Sequence, residues 1–317
     1  LHSAVACTDR IVYVDSGSTD GSIEFAKSLG VDVLELDMSV PFTAGRARNA
    51  GFEHIICKRD LDMVQFVDGD CELDPEWIRH GSKYILEHNS AAVVFGRLIE
   101  IDPDVSMYNR MCQLEWDGDP GVVKSCGGIA LYRVDAFVKA GKFNSEMIAG
   151  EEPELCVRLR QNGGQICRIA QPMAKHDADM TSFGQYWKRA KRAGHAYAQG
   201  AFMHGKPPER HGVRQTRSAL VWGFLLPLGA LVLAYWTLGL SVLAYLGLAV
   251  VQGWRIRRNE LRRGRSKRDA LLLAWYIMLA KFAQAQGVLL FHWRRITGKQ
   301  ATLIEYKGAD QRGTTHG

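Results

Sequence analysis

Between residues 10 and 95 short apolar runs alternate with helix-patterned segments, and this rhythm constrains the possible folds more than any other feature of the chain. The run R-I-V-Y-V at 10–14 is β-branched and stops at Asp15, where Ser16, Gly17 and Ser18 read as a turn. Thr19-Asp20-Gly21-Ser22 offers caps for a helix over 23–29, closed by Gly30. Further strands are predicted at 31–36, 63–67 and 92–95. Further helices are predicted at 44–56 and from Asp74-Pro75-Glu76 to residue 87. Such an order buries both faces of its sheet, so the expected class is α/β: a Rossmann-like, mainly parallel sheet flanked by helices. Open α/β sheets bind ligands off the carboxyl ends of their strands. Asp15 and Asp68-Gly69-Asp70 both lie at such ends, and they are expected to converge on one site.

The remainder is less periodic. Residues 101–150 read as a loop over the sheet, around Trp116, Gly118, Pro120 and Gly121. A helix is expected at 150–161 with Leu155 and Leu159 inward, and a basic, aromatic helix at 183–197. At 317 residues the chain has room for one sizeable domain plus an appendage, and its 47% hydrophobic content is ordinary. The apolar residues are unevenly spread, however, for 218–254 carries no charge at all. Residues 219–236 approach the length of a bilayer span, 237–241 read as a turn, and 242–254 as a second, shorter apolar helix. Arg214 and Arg217 flank one end; Arg255, Arg257 and Arg258 open a dense basic block at the other. That asymmetry predicts a spanning or re-entrant hairpin with both ends cytoplasmic; a buried hairpin of a soluble domain is the alternative. Residues 270–293, with Lys281, Gln284 and Gln286, read as an interfacial helix. The basic block suits a membrane surface. No recognition motif accompanies it, so nucleic acid is not an expected partner. The seven cysteines form no C-x-x-C pair and read as reduced core residues of a cytosolic domain.

Several residue groups carry chemistry. Asp68 and Asp70, one residue apart at a strand end with Gly69 allowing a turn, can hold Mg2+ or Mn2+, which favour oxygen ligands. An acidic turn is the bland alternative. Asp15 is either a hydrogen-bonding partner for a nucleotide or part of a polar turn. Arg46 and Arg48 stand near a helix start, where bases oppose the dipole, so either an anion such as a diphosphate is expected there or a solvated face. Glu151, Glu152 and Glu154 surround Pro153 at another helix start, and Glu154 with Arg158 makes an i,i+4 pair. Pro153 predicts an extended Glu152 held just outside the helix, placed to act as a general base. His176 is a further metal or phosphate ligand, or a structural histidine. Lys188, Arg189 and Arg192 face phosphate or membrane headgroups.

Five of these segments, V-D-S-G-S-T-D-G-S (14–22), G-R-A-R-N-A-G (45–51), F-V-D-G-D (66–70), C-G-G (126–128) and G-E-E-P-E-L-C-V-R-L (150–159), resemble in order the motifs of glycosyltransferase family 2, the inverting enzymes of GT-A fold. The resemblance covers residues 10–200. It implies nucleotide contacts from Asp15, Ser16 and Gly17, and donor contacts from Arg46, Arg48 and Asn49. It further implies ribose or metal contact from Asp68, metal ligation by Asp70, an acceptor loop at Gly127 and Gly128, and a catalytic base at Glu152 or Glu151. There are departures: Asp15-Ser16 replaces an Asp-Asp pair, glutamate stands where the family has its catalytic aspartate, and Q-Y-W-K-R (185–189) lacks the final Trp of Q-x-x-R-W in processive members. The family's first strand and its loop have no counterpart, and an N-terminally short domain is the expectation. The implied activity is sugar transfer with inversion from a nucleotide-diphosphate sugar, UDP-sugar foremost, to a lipid-linked or saccharide acceptor in polysaccharide or glycolipid biosynthesis. The implied setting is the cell inner membrane with a cytoplasmic catalytic domain. The expected organisation is a catalytic domain at 1–200, a basic linker at 201–217, a membrane hairpin at 218–254, and a basic segment, interfacial helix and tail at 255–317. The rivals are a non-catalytic membrane-bound scaffold of the same fold and a nucleotidyltransferase.

Overall fold

The computed structural model describes residues 1–58 and 60–299; the expected tail beyond 299 lies outside them. Its elements run α1 (His2–Val5), β1 (Val12–Asp15), α2 (Ser22–Ser28), β2 (Asp32–Glu35), α3 (Ala44–Ile56), β3 (Met63–Phe66), β4 (Cys71–Leu73), α4 (Trp77–Glu87) and β5 (Ala91–Glu100). Next come α5 (Met107–Trp116), β6 (Gly121–Val123), β7 (Ala130–Arg133), α6 (Val134–Lys139), α7 (Glu151–Gln161) and β8 (Gln165–His176). The last are α8 (Phe183–His204), α9 (Val213–Leu220), α10 (Leu226–Leu233), α11 (Leu240–Arg262) and α12 (Lys267–Thr297). Two compact units share them, one of Leu1–Pro103 with Glu115–Ala178, the other of Asp104–Leu114 with the residues from Asp179 onward.

The first unit is the α/β part. β1 and β2 form a parallel pair, and six further strands form one sheet in the order β3-β7-β5-β8-β4, with β6 also on β8. The α/β class is as expected, but the pairing is mixed, not mainly parallel. β5 lies parallel to β8, while β3–β7, β5–β7, β4–β8 and β6–β8 are antiparallel. The antiparallel members β4, β6 and β7 span three or four residues each, too short to leave a periodicity, and two of them lie within 101–150, where a loop was expected. β8 was also missed, because Pro172 reads as a strand breaker. The sheet accommodates that proline at a register irregularity between Phe95 and Leu98 of β5, where Gly96 lets the Gln171 carbonyl approach.

Both faces of this sheet are covered. Val93, Ala130 and Tyr132 point into one core with Phe52, Phe66, Phe137 and Phe143. Their neighbours Val94, Ile129 and Leu131 point into another with Trp77, Ile85 and Met173. Burial on alternating sides explains the unbroken apolar run A-A-V-V at the start of β5. The aromatic core packs edge to face, with ring centroids 5.0 Å apart for Phe52–Phe137 and 5.1 Å for Phe66–Phe143.

The second unit is helical. Ser182 and Gln185 form a capping box at the start of α8, and Ser266 caps α12. Glycines at Gly194, Gly223 and Gly287 sit where an added Cβ would collide with backbone carbonyls of α12 or α8, so these helices cross at close range. Arg110 donates two hydrogen bonds to Asp269, at 3.0 and 2.9 Å. Two stretches are long and apolar enough to cross a membrane by length and composition: Val213–Leu233 and α12. The sequence pattern had paired the first with 242–254 instead. Those residues belong to α11, which continues through the basic block to Arg262, and α12 takes the second place.

A side chain at residue 96 has no room beside Gln171, Trp77 and Met173. Gly96→Ala is expected to destabilise the first unit by about 1–3 kcal/mol, read as a lowered thermal midpoint; an unchanged midpoint would show that the sheet relaxes around it.

Candidate functional site

The end of β3 turns sharply, with the amide of Cys71 donating to the carbonyl of Asp68 at 3.1 Å, so that Asp68, Gly69 and Asp70 form a turn between β3 and β4. Across from it stands α3. Thr43 caps this helix, its hydroxyl oxygen accepting from the Arg46 amide at 3.1 Å and donating to the Ser145 carbonyl at 2.8 Å. Asn49 pins the same loop: its side-chain NH2 donates to the Phe143 carbonyl at 2.8 Å and its oxygen accepts from the Phe143 amide at 3.1 Å. Arg46 donates to the carbonyls of Val40 (2.9 Å) and Asp37 (2.7 Å), bracing the segment that follows β2.

Arg48 is the junction. Its guanidinium donates to Asp68 at 2.7 Å, to Glu152 at 2.8 Å and to Glu151 at 3.1 Å. Its side chain is only 11% exposed and that of Glu151 3%. Burial opposes the charge on Arg48, but Asp68, Glu152 and Glu151 outweigh it and hold its pKa well above the ordinary value. The ring of Phe143 lies beneath, 5.5 Å from the guanidinium. Gly128 presses against the same group, for a Cβ there would come within 2.6 Å of Arg48, 3.0 Å of Glu152 and 3.1 Å of Asp68. The loop that carries Gly127 and Gly128 is tied to α7 through Cys126 and Cys156, whose sulfurs are 3.5 Å apart.

The position of Glu152 corrects the expectation that Pro153 would hold it outside the helix. α7 begins at Glu151, so Glu152 and Pro153 both lie in its first turn. Gly150, at φ 79°, turns the chain immediately before, and a proline in a first turn removes no hydrogen bond, so the helix starts two residues earlier than the pre-proline bias suggests. The Glu154–Arg158 pair forms as anticipated, at 2.9 Å through Nε.

A second corner lies along the sheet. In the β4–β8 pair Cys71 stands opposite His176, and in the β5–β8 pair Glu100 stands opposite His176. Asp70 faces His176 across 3.3 Å and Cys71 across 3.5 Å. Asp70, Cys71 and His176 offer ligand atoms all within 4.8 Å of one another, a set able to hold a metal ion. Trp116 walls the imidazole edge to face, with centroids 4.7 Å apart, and the His176 Nδ1 is buried without a hydrogen-bond partner. Burial raises the pKa of Glu100 although amides of Ala178 and Asp102 donate to it. Cys71 is the member that sequence reasoning missed. Its only signal was adjacency to Asp70, and buried cysteines read first as core residues.

The remaining candidates sit in their own elements. Asp15 ends β1, buried, with its carboxylate accepting from the amides of Gly17 (2.8 Å) and Ser18 (2.9 Å) and from the Tyr13 hydroxyl (3.4 Å). Burial opposes its charge, but these hydrogen bonds prevail and its pKa lies below the ordinary value. Ser16 is exposed in the same turn, and Gly17 takes φ 91°. Lys188, Arg189 and Arg192 lie on α8, in the helical unit.

Residues 1–138 match the family model described as glycosyl transferase family 2. No curated protein matches the chain. Among solved structures, the mannosyltransferase PcManGT from Pyrobaculum calidifontis, in complex with GDP-Man and Mn2+, superimposes at a TM-score of 0.52 and 15% identity, covering 90% of this chain and 78% of that one. Its likeness is one of fold. Residues 1–349 of TarS from S. aureus give a TM-score of 0.47 at 14% identity, over 94% of this chain and 86% of that one. The longer TarS structure is matched at a TM-score of 0.43 and 15% identity over 66% of this chain, which spans 43% of its length.

Two substitutions probe this geometry. Arg48→Met leaves Glu151 buried without its cation and is expected to cost about 3–5 kcal/mol. Asp68, Glu151 and Glu152 then repel one another without the shared guanidinium, so the deficit should be largest at neutral pH and shrink on acidification. A melt of this variant that is independent of pH would refute the assignment. The depressed pKa of Asp15 implies stability that is present above about pH 4 and lost as pH falls through its folded value. Asp15→Asn should remove that portion of the acid sensitivity in denaturation curves.

Proposed function

With residues 1–138 belonging to glycosyl transferase family 2, we propose that this protein is a membrane-associated glycosyltransferase that moves a sugar, with inversion, from a nucleoside-diphosphate sugar to a lipid-linked or saccharide acceptor. One observation carries the reading: a single guanidinium, Arg48, joins the Asp68–Asp70 turn to the carboxylates at the start of α7, beside the open backbone of Gly128. Elements distant in sequence thereby place an acidic turn and a fixed carboxylate around one point, as direct displacement at a sugar carbon requires.

In this reading Glu152 accepts the proton of the attacking hydroxyl, with Glu151 behind it and Arg48 fixing the carboxylate's direction. Gly127, where an added Cβ would meet nothing within 4 Å, leaves space for the acceptor, while Gly128 lets the loop approach Arg48 closely. Asp15 shapes the Ser16–Ser18 turn by accepting from the Gly17 and Ser18 amides, and the turn meets the nucleotide. Asp70 and His176 suit a divalent cation, with Asp68 at the other end of the turn; when bound, the ion would supply positive charge against the departing nucleoside diphosphate. The GDP-Man and Mn2+ held by the Pyrobaculum mannosyltransferase support a nucleotide-sugar donor and a divalent ion here.

The membrane part rests on exposed apolar surface. Val213–Leu233 is only 11% buried, and the turn after it exposes Tyr235 (84%), Trp236 (72%) and Leu238 (94%). Aromatic and aliphatic side chains exposed to that degree fit an interface with lipid, and the basic end of α11 fits anionic headgroups. This surface supports an acceptor at the membrane, with envelope polysaccharide or glycolipid assembly as the proposed setting and the catalytic part on the cytoplasmic side.

Transfer of radiolabelled sugar from nucleotide sugars to a membrane extract, with Mn2+ or Mg2+, tests the activity. Glu152→Gln is expected to lower turnover about 10²- to 10⁴-fold while leaving donor binding intact by calorimetry. Full activity in Asp70→Ala, or no metal-dependent binding of any nucleoside diphosphate to the parent protein, would count against an enzyme and favour a scaffold. Replacing both Trp236 and Leu238 by glutamate should weaken flotation with anionic liposomes; undiminished flotation would remove the membrane reading of this turn.

A further inference from the structure

The corner formed by Asp70, Cys71 and His176 differs from an all-oxygen site, and the difference has chemical consequences. Cys71 and His176 are directly opposed residues of an antiparallel pair, so their side chains leave the same face of the sheet. Leu73 and Ala174, the next pair along, lie in the core on that face. The thiol and imidazole therefore emerge at the rim of the core, next to the turn that presents Asp70. The position is sheltered, since Cys71 is buried and Trp116 covers one edge of His176.

The separations match those of ligands around one small cation. For bonds of about 2.0–2.1 Å to oxygen and nitrogen and about 2.3 Å to sulfur at tetrahedral angles, an O–N edge is about 3.4 Å and an O–S edge about 3.5 Å. The observed edges are 3.3 Å for Asp70–His176 and 3.5 Å for Asp70–Cys71. An octahedral ion with bonds of about 2.1 Å would bring neighbouring oxygen and nitrogen ligands to about 3.0 Å. In the metal-free chain the Cys71 thiol donates to Asp70 along the same edge.

We propose that Cys71 is a thiolate ligand of the metal site, and that the site thereby selects Co2+ or Zn2+ over Mg2+. The inference rests on the metal reading under the proposed function and deepens it. On binding, the Cys71 S–H bond breaks, a sulfur–metal bond forms and the proton passes to solvent; no oxidant or reductant takes part. Mg2+ prefers six oxygen ligands and gains little from sulfur or imidazole, whereas affinity at mixed N, O and S donors rises from Mn2+ through Co2+. Three protein ligands leave a position open for a phosphate oxygen of the donor, the arrangement of a metal site that acts on a ligand rather than one that only holds the fold.

The test uses the full chain in detergent, titrated with CoCl2, MnCl2, ZnCl2 and MgCl2 by calorimetry, with an absorption spectrum recorded for the Co2+ form. The expected result is a near-ultraviolet sulfur-to-cobalt charge-transfer band in the parent protein. In Cys71→Ser the band is lost, with Co2+ and Zn2+ affinity lowered at least about tenfold and Mg2+ affinity unchanged. Cys71→Ala serves if the serine variant does not fold, and circular dichroism of the metal-free forms checks folding for both. A parent protein that binds Co2+ without the band, or a band that survives in both variants, overturns the role of Cys71 and leaves the metal reading standing. A parent protein that binds none of the four ions overturns the metal reading itself.

Discussion

The candidate site depends on one cation. Arg48 stands in the first turns of α3, where positive charge opposes the helix dipole, and it is buried over the ring of Phe143. Both circumstances disfavour a charged side chain, and three carboxylates reverse the balance. A guanidinium suits this place because its rigid fork of five donors can serve several oxygens at once, which a lysine ammonium does less well. Arg48 also carries positional information: it ties α3 to the turn after β3 and to the start of α7, three segments that would otherwise meet only through the core. Thr43 and Asn49 hold the 143–145 loop against the same helix, so α3 is braced on both sides of its arginine.

Two features of the sheet bring the acidic turn to this arginine. β3 is an edge strand of the six-stranded sheet and pairs only with β7 there, so its carboxyl end is free to turn outward at Asp68. β7 is followed directly by α6, and the connection before β7 carries Gly127 and Gly128 to the same end. The aromatic core beneath, from Phe52 to Phe143, is continuous with the site through Phe143, whose ring contacts both Phe66 and Arg48. Packing and electrostatics therefore share a residue, and a change in the core below would be felt by the guanidinium above.

The corner of Asp70, Cys71 and His176 has a different origin. Asp70 comes from the turn, but Cys71 and His176 are set by strand register, which fixes opposed side chains on one face without any requirement from the residues' own chemistry. A slip of β4 by a single residue would send Cys71 to the other face and bring Glu72 in its place. The core residues Leu73, Met173 and Ala174 and the register irregularity at Gly96 are thus what hold the donor set in place.

Residues 10–95 were legible in the sequence because each strand there is a short, mostly apolar run near turn residues, and the helices lie between them; α3 matched its predicted span, Ala44–Ile56, to the residue. The acidic turn and the glutamates at 151 and 152 were legible as well, as charged residues at the ends of elements, and the glycine loop through the family resemblance. Three things were decided only by the tertiary structure. Mixed pairing depends on strands of three or four residues, which have no periodicity to read. Glu152 lies inside α7 because a glycine with positive φ starts the helix early, a choice that competes with the pre-proline bias and prevails in context. The partners of Arg48 within the chain are carboxylates 20 to 104 residues away. Local sequence reports what a side chain needs; which distant segment supplies it is settled by the packing that brings them together.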